Sequence, residues 1–283
     1  MNPFIPESFI DQIIADDVPS IDLTTHVLGI GDATGTIEYF TRDEAVICGT
    51  EEAARVYRKL GCEVLDCAPT GTLLAPGAAF IHAHGPASAL HMGWKCCLNI
   101  FEYYSALATK AKKMVDAVHA VNPRCEVLTT RKCMTGTKLL DTKAVMAGGA
   151  FPHRLGLSET VLVFEQHLEF LGGMDAFIEQ LPDIKAKVCE KKLFVEAEPA
   201  DAVRLAQAGV DGIQLDKVPA RELAALVPQL RALAPHITLI AAGGINLQNA
   251  AEYAATGVDG LATTCLHFSK PLDMSVRMSC DNA

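Results

Sequence analysis

The sequence predicts an α/β protein, with a small domain of mixed α and β layers followed by a larger domain of repeated β-α units. Three observations carry this expectation. Beyond Pro123, short apolar runs alternate with stretches of helical periodicity, whereas before it brief strand-like runs flank one helical pattern. The 283 residues are enough for one large core or two smaller ones. Repeated strand-helix alternation implies parallel strands. Six or seven such strands fit an open doubly wound sheet or a barrel, and periodicity alone does not choose between them.

In chain order, Pro6 to Asp16 carries Phe9, Ile10, Ile13 and Ile14 at helical spacing and ends in the acidic turn Asp16-Asp17-Val18-Pro19. Strand-like runs follow at 35–40, 45–48 and 79–82, with a helical pattern from Glu51 to Leu60 between them. No Asp, Glu, Lys or Arg occurs from Cys67 to Trp94, a stretch long enough to span a bilayer. Pro69, Gly71, Pro76, Gly77, Gly85 and Pro86 break it, so turns, a short strand and a helix start are expected there instead. Ala87 to about His119 is nearly free of breakers, with Leu98, Phe101, Leu107 and Met114 on its apolar stripe. Its length suits two consecutive helices. The strands expected beyond Pro123 are Cys125 to Thr130, Thr160 to Phe164, Leu193 to Ala197, Gly212 to Leu215, Thr238 to Ala242 and Gly260 to Thr264. Helical patterns separate the later ones: Met174 to Glu190, Ala200 to Ala208, Ala220 to Leu233 and Leu247 to Thr256.

Composition narrows the function. A formal net charge of −10 argues against a general nucleic-acid binder, which needs clustered Lys and Arg. Ten cysteines are spread from Cys48 to Cys280 with no C-x-x-C pair. With no secretory leader read at the start of the chain, they are expected to be reduced thiols of a cytoplasmic protein, and a structural zinc is not expected.

Ligands of parallel α/β folds gather at the carboxyl ends of the strands. Here those ends are polar: Thr129-Thr130-Arg131-Lys132, Glu196-Ala197-Glu198, Gln214-Leu215-Asp216-Lys217 and Ala242-Gly243-Gly244. Strand alternation predicts Glu196 and Glu198 on one face, where two carboxylates repel unless a cation, a metal or a cationic transition state lies between them. A structural pairing with Lys143 or Arg131 is the other reading. Gly243-Gly244 before a helix start offers backbone N–H groups to a phosphate, or serves any tight turn. In GGAFPHRLGL, His153 and Arg154 lie between glycine-rich turns as an anion clamp or a surface loop.

Together these motifs resemble the quinolinate phosphoribosyltransferases, also called nicotinate-nucleotide pyrophosphorylases. The resemblance begins at Asp16-Asp17 and Asp22-Leu23-Thr24-Thr25 and passes through Leu98-Asn99. It is strongest in TTRKCMTGTKLLDTKAVMAGGAFPHRLGLSE, and it resumes at VEAEPADA, IQLDKV, AGGINLQNAAEYAATGVD and SKPLDMSVRM. It implies an incomplete α/β barrel, residues 118–269, with a smaller N-terminal α+β sandwich domain, residues 1–117 joined by 270–283. A dimer partner, or a higher homo-oligomer, would close the active site. The implied reaction transfers the ribosyl group of phosphoribosyl pyrophosphate, with Mg²⁺, to a pyridine acid and releases pyrophosphate and carbon dioxide. By the same resemblance Lys132, Glu198 and Asp216 are catalytic, with Glu198 and Asp216 holding Mg²⁺ directly or through water. Lys95, Arg131, His153, Arg154, Phe164 and Glu196 would face the substrates, and Gly243 and Gly244 the 5′-phosphate. Cys133, beside Lys132, is a spacer in a chemistry that needs no thiol nucleophile.

Departures from the family pattern cluster on the acceptor side. Phe164 replaces a basic residue in the family's L-I-K-D-N-H motif, here Leu162-Val163-Phe164-Glu165-Gln166-His167, and Lys95 replaces an arginine. Ala242 stands for a serine and Phe268 for a histidine. Phe164-Glu165-Gln166-His167 with Trp94-Lys95 resembles a branch called ModD, named for an association with molybdenum transport. The expected acceptor is therefore a heterocycle smaller or less charged than quinolinate and linked to molybdenum metabolism. The alternatives are a quinolinate enzyme of NAD biosynthesis with a rearranged pocket, and a non-catalytic binder of a nucleotide or oxyanion.

Overall fold

The computed structural model describes residues 3–281. The chain divides into two compact units, one of Met1–Lys112, Met134–Gly149 and His267–Ala283, the other of Lys113–Cys133 and Ala150–Leu266.

The chain opens with α1 (Glu7–Asp17) and α2 (Leu23–Leu28). Asp22 caps α2 by accepting from the Thr25 N–H, and Gly29 closes it in the left-handed region. There follow β1 (Thr34–Thr41), β2 (Ala45–Val46), α3 (Thr50–Lys59), β3 (Glu63–Cys67), β4 (Leu73–Leu74) and β5 (Ala79–Pro86). Residues Ala87–His119 form one unbroken helix, α4, where two were expected. Its single glycine, Gly93, is a packing residue, because a Cβ there would lie 2.6 Å from the Tyr57 ring. Helix and strand then alternate: β6 (Glu126–Thr129), α5 (Lys138–Ala147), β7 (Phe151–Pro152), β8 (Val161–Val163), α6 (Glu165–Leu171), α7 (Gly173–Lys187), β9 (Leu193–Ala197), α8 (Pro199–Ala208), β10 (Gly212–Asp216), α9 (Ala220–Leu233), β11 (Thr238–Ala242), α10 (Ala250–Ala254), β12 (Gly260–Thr263) and β13 (Met274–Cys280). The helix expected at 247–256 is shorter because Asn246 and Asn249 hold residues 244–249 in a side-chain-bonded turn.

In the first unit β13-β1-β5-β3 form an antiparallel sheet, with the C-terminal strand β13 paired along β1. Alternation along β1 turns Ile37 and Tyr39 inward. Tyr39, Phe80 and Phe101 meet edge to face at 4.9–5.1 Å about the last ring, and the Tyr39 and Tyr57 hydroxyls bond at 2.6 Å. Lys143 of α5 is fully buried in this unit, donating to Glu51 at 2.7 Å and Glu52 at 2.5 Å. It is therefore committed to these carboxylates and is not the partner of Glu196 or Glu198 that one reading of the sequence allowed.

The second unit is a seven-stranded sheet in the order β7-β6-β12-β11-β10-β9-β8, parallel at every pairing. The sheet curls so far that Arg154, beyond the edge strand β7, reaches to 5.9 Å from the ring of Phe164, beyond the opposite edge β8. No ladder joins those edges. The result is an incomplete barrel, which decides the choice that periodicity left open. Leu162, Phe194, Ile240, Ala242 and Ala262 fill its interior, with Leu128 and Phe164 packed against them. Gly212 makes room for the Phe194 ring, which would lie 2.2 Å from a Cβ.

Candidate active site

The loops that follow the barrel strands enclose a cavity of about 560 Å³. Interior-facing positions of successive strands deliver its walls, since every second residue of a barrel strand points inward. Thr130, Arg131 and Lys132 follow β6, His153 and Arg154 follow β7, and Phe164 follows β8. Glu196 from β9, Gln214 and Asp216 from β10, and Gly243 and Gly244 after β11 complete the ring. Nine of the sequence-predicted residues thus share one cavity. Two do not. Glu198 lies outside the lining and is exposed: Pro199 opens α8, so β9 ends at Ala197 and Glu198 becomes the helix N-cap. Lys95 is an exposed residue of the first unit, where it lines a separate cavity of about 400 Å³ with Asp22, Thr25, His91 and Trp94. Its ammonium lies 4.9 Å from the Trp94 ring centre.

Charge is divided across the barrel mouth. Arg131, Lys132 and Arg154 come from neighbouring strands on one side, and Glu196 and Asp216 from neighbouring strands on the other. Burial raises the Glu196 carboxyl, an effect that Gln214 opposes by donating to it at 2.5 Å and Asp216 reinforces by repulsion. Burial also depresses the His153 imidazole, as does the adjacent Arg154. Its Nε2 is buried with no hydrogen-bond partner. That atom is a polar group positioned to meet a ligand. Arg154 is in turn lowered by burial and by Arg131. Glu159 opposes both effects, and two guanidiniums drawn this close suit the binding of an anion.

The Gly243-Gly244 turn has φ of 84° and 71°. At 243 glycine is obligatory on steric grounds as well, because a Cβ would stand 2.6 Å from Lys217 N and 2.7 Å from Asp216 Oδ1. Thr263 secures the turn by donating to Ile245 O at 2.7 Å. Sequence reasoning assigned no role to Gln214, Lys217 or the Thr130–Thr264 hydroxyl pair, bonded at 2.8 Å. Strand alternation could have found Gln214, two residues before Asp216. Lys217 closes the polar strand end after Asp216, but nothing in the sequence marks its left-handed backbone.

Among the described residues no group of three or more His, Cys, Asp or Glu side chains is placed to hold a metal. Of the two carboxylates that the resemblance gives to Mg²⁺, Asp216 lines the cavity and Glu198 does not; Glu196 lines it beside Asp216, and Mg²⁺ takes one or two carboxylates with water and phosphate oxygens. No described helix is long and apolar enough to cross a membrane.

Two family descriptions match the chain: "Quinolinate phosphoribosyl transferase, N-terminal domain" over residues 22–105 and "Quinolinate phosphoribosyl transferase, C-terminal domain" over residues 107–277. The ModD protein of Rhodobacter capsulatus is 38% identical over 258 residues, 89% of this chain and 97% of its own. That of Escherichia coli O157:H7 is 32% identical over 276 residues, 97% of each chain. The carboxylating nicotinate-nucleotide pyrophosphorylase of Homo sapiens is 27% identical over 98% of this chain and 92% of its own. Among solved structures, the nicotinate-nucleotide pyrophosphorylase of Francisella tularensis superposes with a TM-score of 0.88 at 23% identity, covering 98% of both chains.

Proposed function

The chain belongs to the quinolinate phosphoribosyltransferase family, and on that footing we propose that it transfers the ribosyl group of phosphoribosyl pyrophosphate to a heterocycle less anionic than quinolinate. As a member it is a pentosyltransferase of the quinolinate type. The observation that carries the finer reading is Phe164, an apolar ring in the wall of the cavity, beneath the Arg154 guanidinium and stacked on His167 at 5.8 Å. A ring in that position favours a flat, weakly charged acceptor over a carboxylate seeking a cation.

Cleavage of the ribose–pyrophosphate bond develops positive charge on the sugar and negative charge on the leaving group. Asp216 and Glu196 face the first, while Arg131 and Lys132 neutralise the second. The Gly243-Gly244 turn seats the 5′-phosphate on backbone N–H groups. Arg154 and His153 extend the anion site of Arg131 and Lys132, holding acidic groups of the substrates, and orient the acceptor against the Phe164 ring. Asp216, with Glu196 or a water-bridged Glu198, would hold Mg²⁺, which supplies charge neutralisation for the leaving pyrophosphate. The likeness to the ModD proteins extends the proposal to an acceptor from molybdenum metabolism, handled by a cytoplasmic homodimer.

A screen for pyrophosphate release with phosphoribosyl pyrophosphate, Mg²⁺ and a panel of nitrogen heterocycles tests the reading. Release with a neutral or monoanionic heterocycle, and little with quinolinate, is expected. Efficient release with quinolinate would replace the proposal with the NAD-biosynthetic activity, and binding of the donor without release in any well would favour a non-catalytic binder.

A further inference from the structure

We propose that Lys217 binds the phosphate of the ribosyl donor, a role that rests on the reading of the barrel mouth as the donor site. Lys217 follows β10 with a φ of 55° and is the one residue other than glycine with positive φ among the described residues. In this region a Cβ crowds the backbone, so lysine is an unfavourable choice where glycine or asparagine would fit.

The backbone does need this turn. Lys217 N–H donates to Ala242 O at 2.8 Å, which draws the β10 loop against Gly243. Glycine could make that bond equally well, so it does not explain the side chain. Packing does not explain it either, since the side chain is 82% exposed. Its contact with Asp216, 3.5 Å from Nζ to Oδ2, is an exposed pair of the kind that adds little stability.

What remains is the position of the charge. The other cations lining the cavity, Arg131, Lys132 and Arg154, follow β6 and β7. Lys217 alone among the lining lysines and arginines lies on the β10–β11 side, with its Cγ 2.5 Å from where a Gly243 Cβ would be. A phosphate on the Gly243-Gly244 turn has the Asp216 carboxylate as its neighbour, and Lys217 offsets that repulsion. A compact ammonium on a free stem suits a phosphoryl group, which it can meet from several directions.

The phosphate could be the 5′-phosphate or the pyrophosphate of the donor, and the geometry at Gly243 points to the 5′-phosphate. Calorimetric titration of ribose 5-phosphate and of inorganic pyrophosphate into wild type, Lys217→Asn, Lys217→Gly and Lys217→Arg, beside thermal unfolding of each, separates the cases. Ribose 5-phosphate affinity should fall about tenfold in the Asn and Gly variants, the scale of one charge-assisted hydrogen bond, and be largely kept in the Arg variant. Both neutral variants should keep or raise the melting temperature, because they relieve the left-handed lysine. Unchanged ribose 5-phosphate affinity would overturn the assignment, as would a loss confined to pyrophosphate or a loss accompanied by a lower melting temperature in both variants. A folded wild type that binds neither phosphate would instead remove the donor-site reading itself.

Discussion

Single side chains set the expected specificity. On the proposed reading Phe164 stands at the acceptor end of the mouth where the family pattern has a cation, and Arg154 lies over its ring. A quinolinate dianion entering there would leave one carboxylate without a charge-assisted partner, a deficit on the order of 1.5 to 3 kcal/mol. Phe164→Lys should therefore raise kcat/KM for quinolinate by about tenfold or more. Steady-state kinetics would sink the idea if wild type already turned quinolinate over efficiently. His153 makes a second prediction, in pH. Burial and Arg154 hold its imidazole below the ordinary range. A bound anion stabilises the imidazolium and raises that value, so the complex takes up a proton that the free protein lacks. Pyrophosphate affinity should accordingly rise as pH falls through the window between the bound and free values. His153→Gln should flatten this rise, leaving only the protonation of pyrophosphate itself, which is common to both proteins. Identical slopes for the two proteins would remove His153 from the anion site.

Whole elements were more legible in the sequence than single residues. Six of the eight strands described beyond Pro123 fall within a residue of their predicted bounds, because short apolar runs between helical patterns have few other ways to be buried; the two-residue β7 and the C-terminal β13 were not predicted. The polar strand ends gave most of the cavity for the same reason, since parallel strands share one carboxyl edge. Glu198 does not share a strand face with Glu196, because alternation was carried one residue past the strand, to the cap of a helix that Pro199 begins. Lys143 was not legible as a buried residue, since burial of its ammonium depends on Glu51 and Glu52, some ninety positions away. A device that the sequence repeats, Gly-Val-Asp-Gly at 209–212 and 257–260, is structural. Each aspartate accepts from the N–H of the strand beside its own: Asp211 from Leu193 and Asp259 from Leu239, both at 2.7 Å. Each is steadied by a cation, Lys185 at 2.8 Å and Arg231 at 2.7 Å. These clamps fix strand register at the end of the barrel away from the cavity. Removing one leaves a backbone donor unpaired, so Asp259→Ala should cost about 1 to 3 kcal/mol in urea unfolding. Donor affinity, measured under native conditions, should be unchanged, and a loss of stability below about 0.5 kcal/mol would show that the clamp is dispensable.

At the scale of the molecule, Lys95 is a substrate-binding candidate that belongs to the first unit and lines a cavity of its own. Several apolar side chains near that cavity are open to solvent, among them Leu23 and Leu28 at 63% and Val27 at 73%. A cluster of that kind on a short helix is the sort of surface a second copy covers. The Trp94 indole N–H on the same cavity is buried without a partner. If a second copy brings its barrel mouth to this surface, the partner's Lys95 completes each active site, and the two residues of one site come from different chains. Mixing then has a definite arithmetic. Lys95→Ala and Asp216→Ala should each be inactive alone. After free subunit exchange about half of the dimers are hybrids, and in each hybrid one site of two has both residues intact. Mixed protein should recover about a quarter of wild-type activity, measured as pyrophosphate release. If Lys95 instead serves the site of its own chain, every site in the mixture lacks one residue or the other and no activity returns. Mass-resolved hybrids with no recovered turnover would therefore count against a shared site, and they would do so without disturbing the assignment of the mouth that Asp216 helps to line.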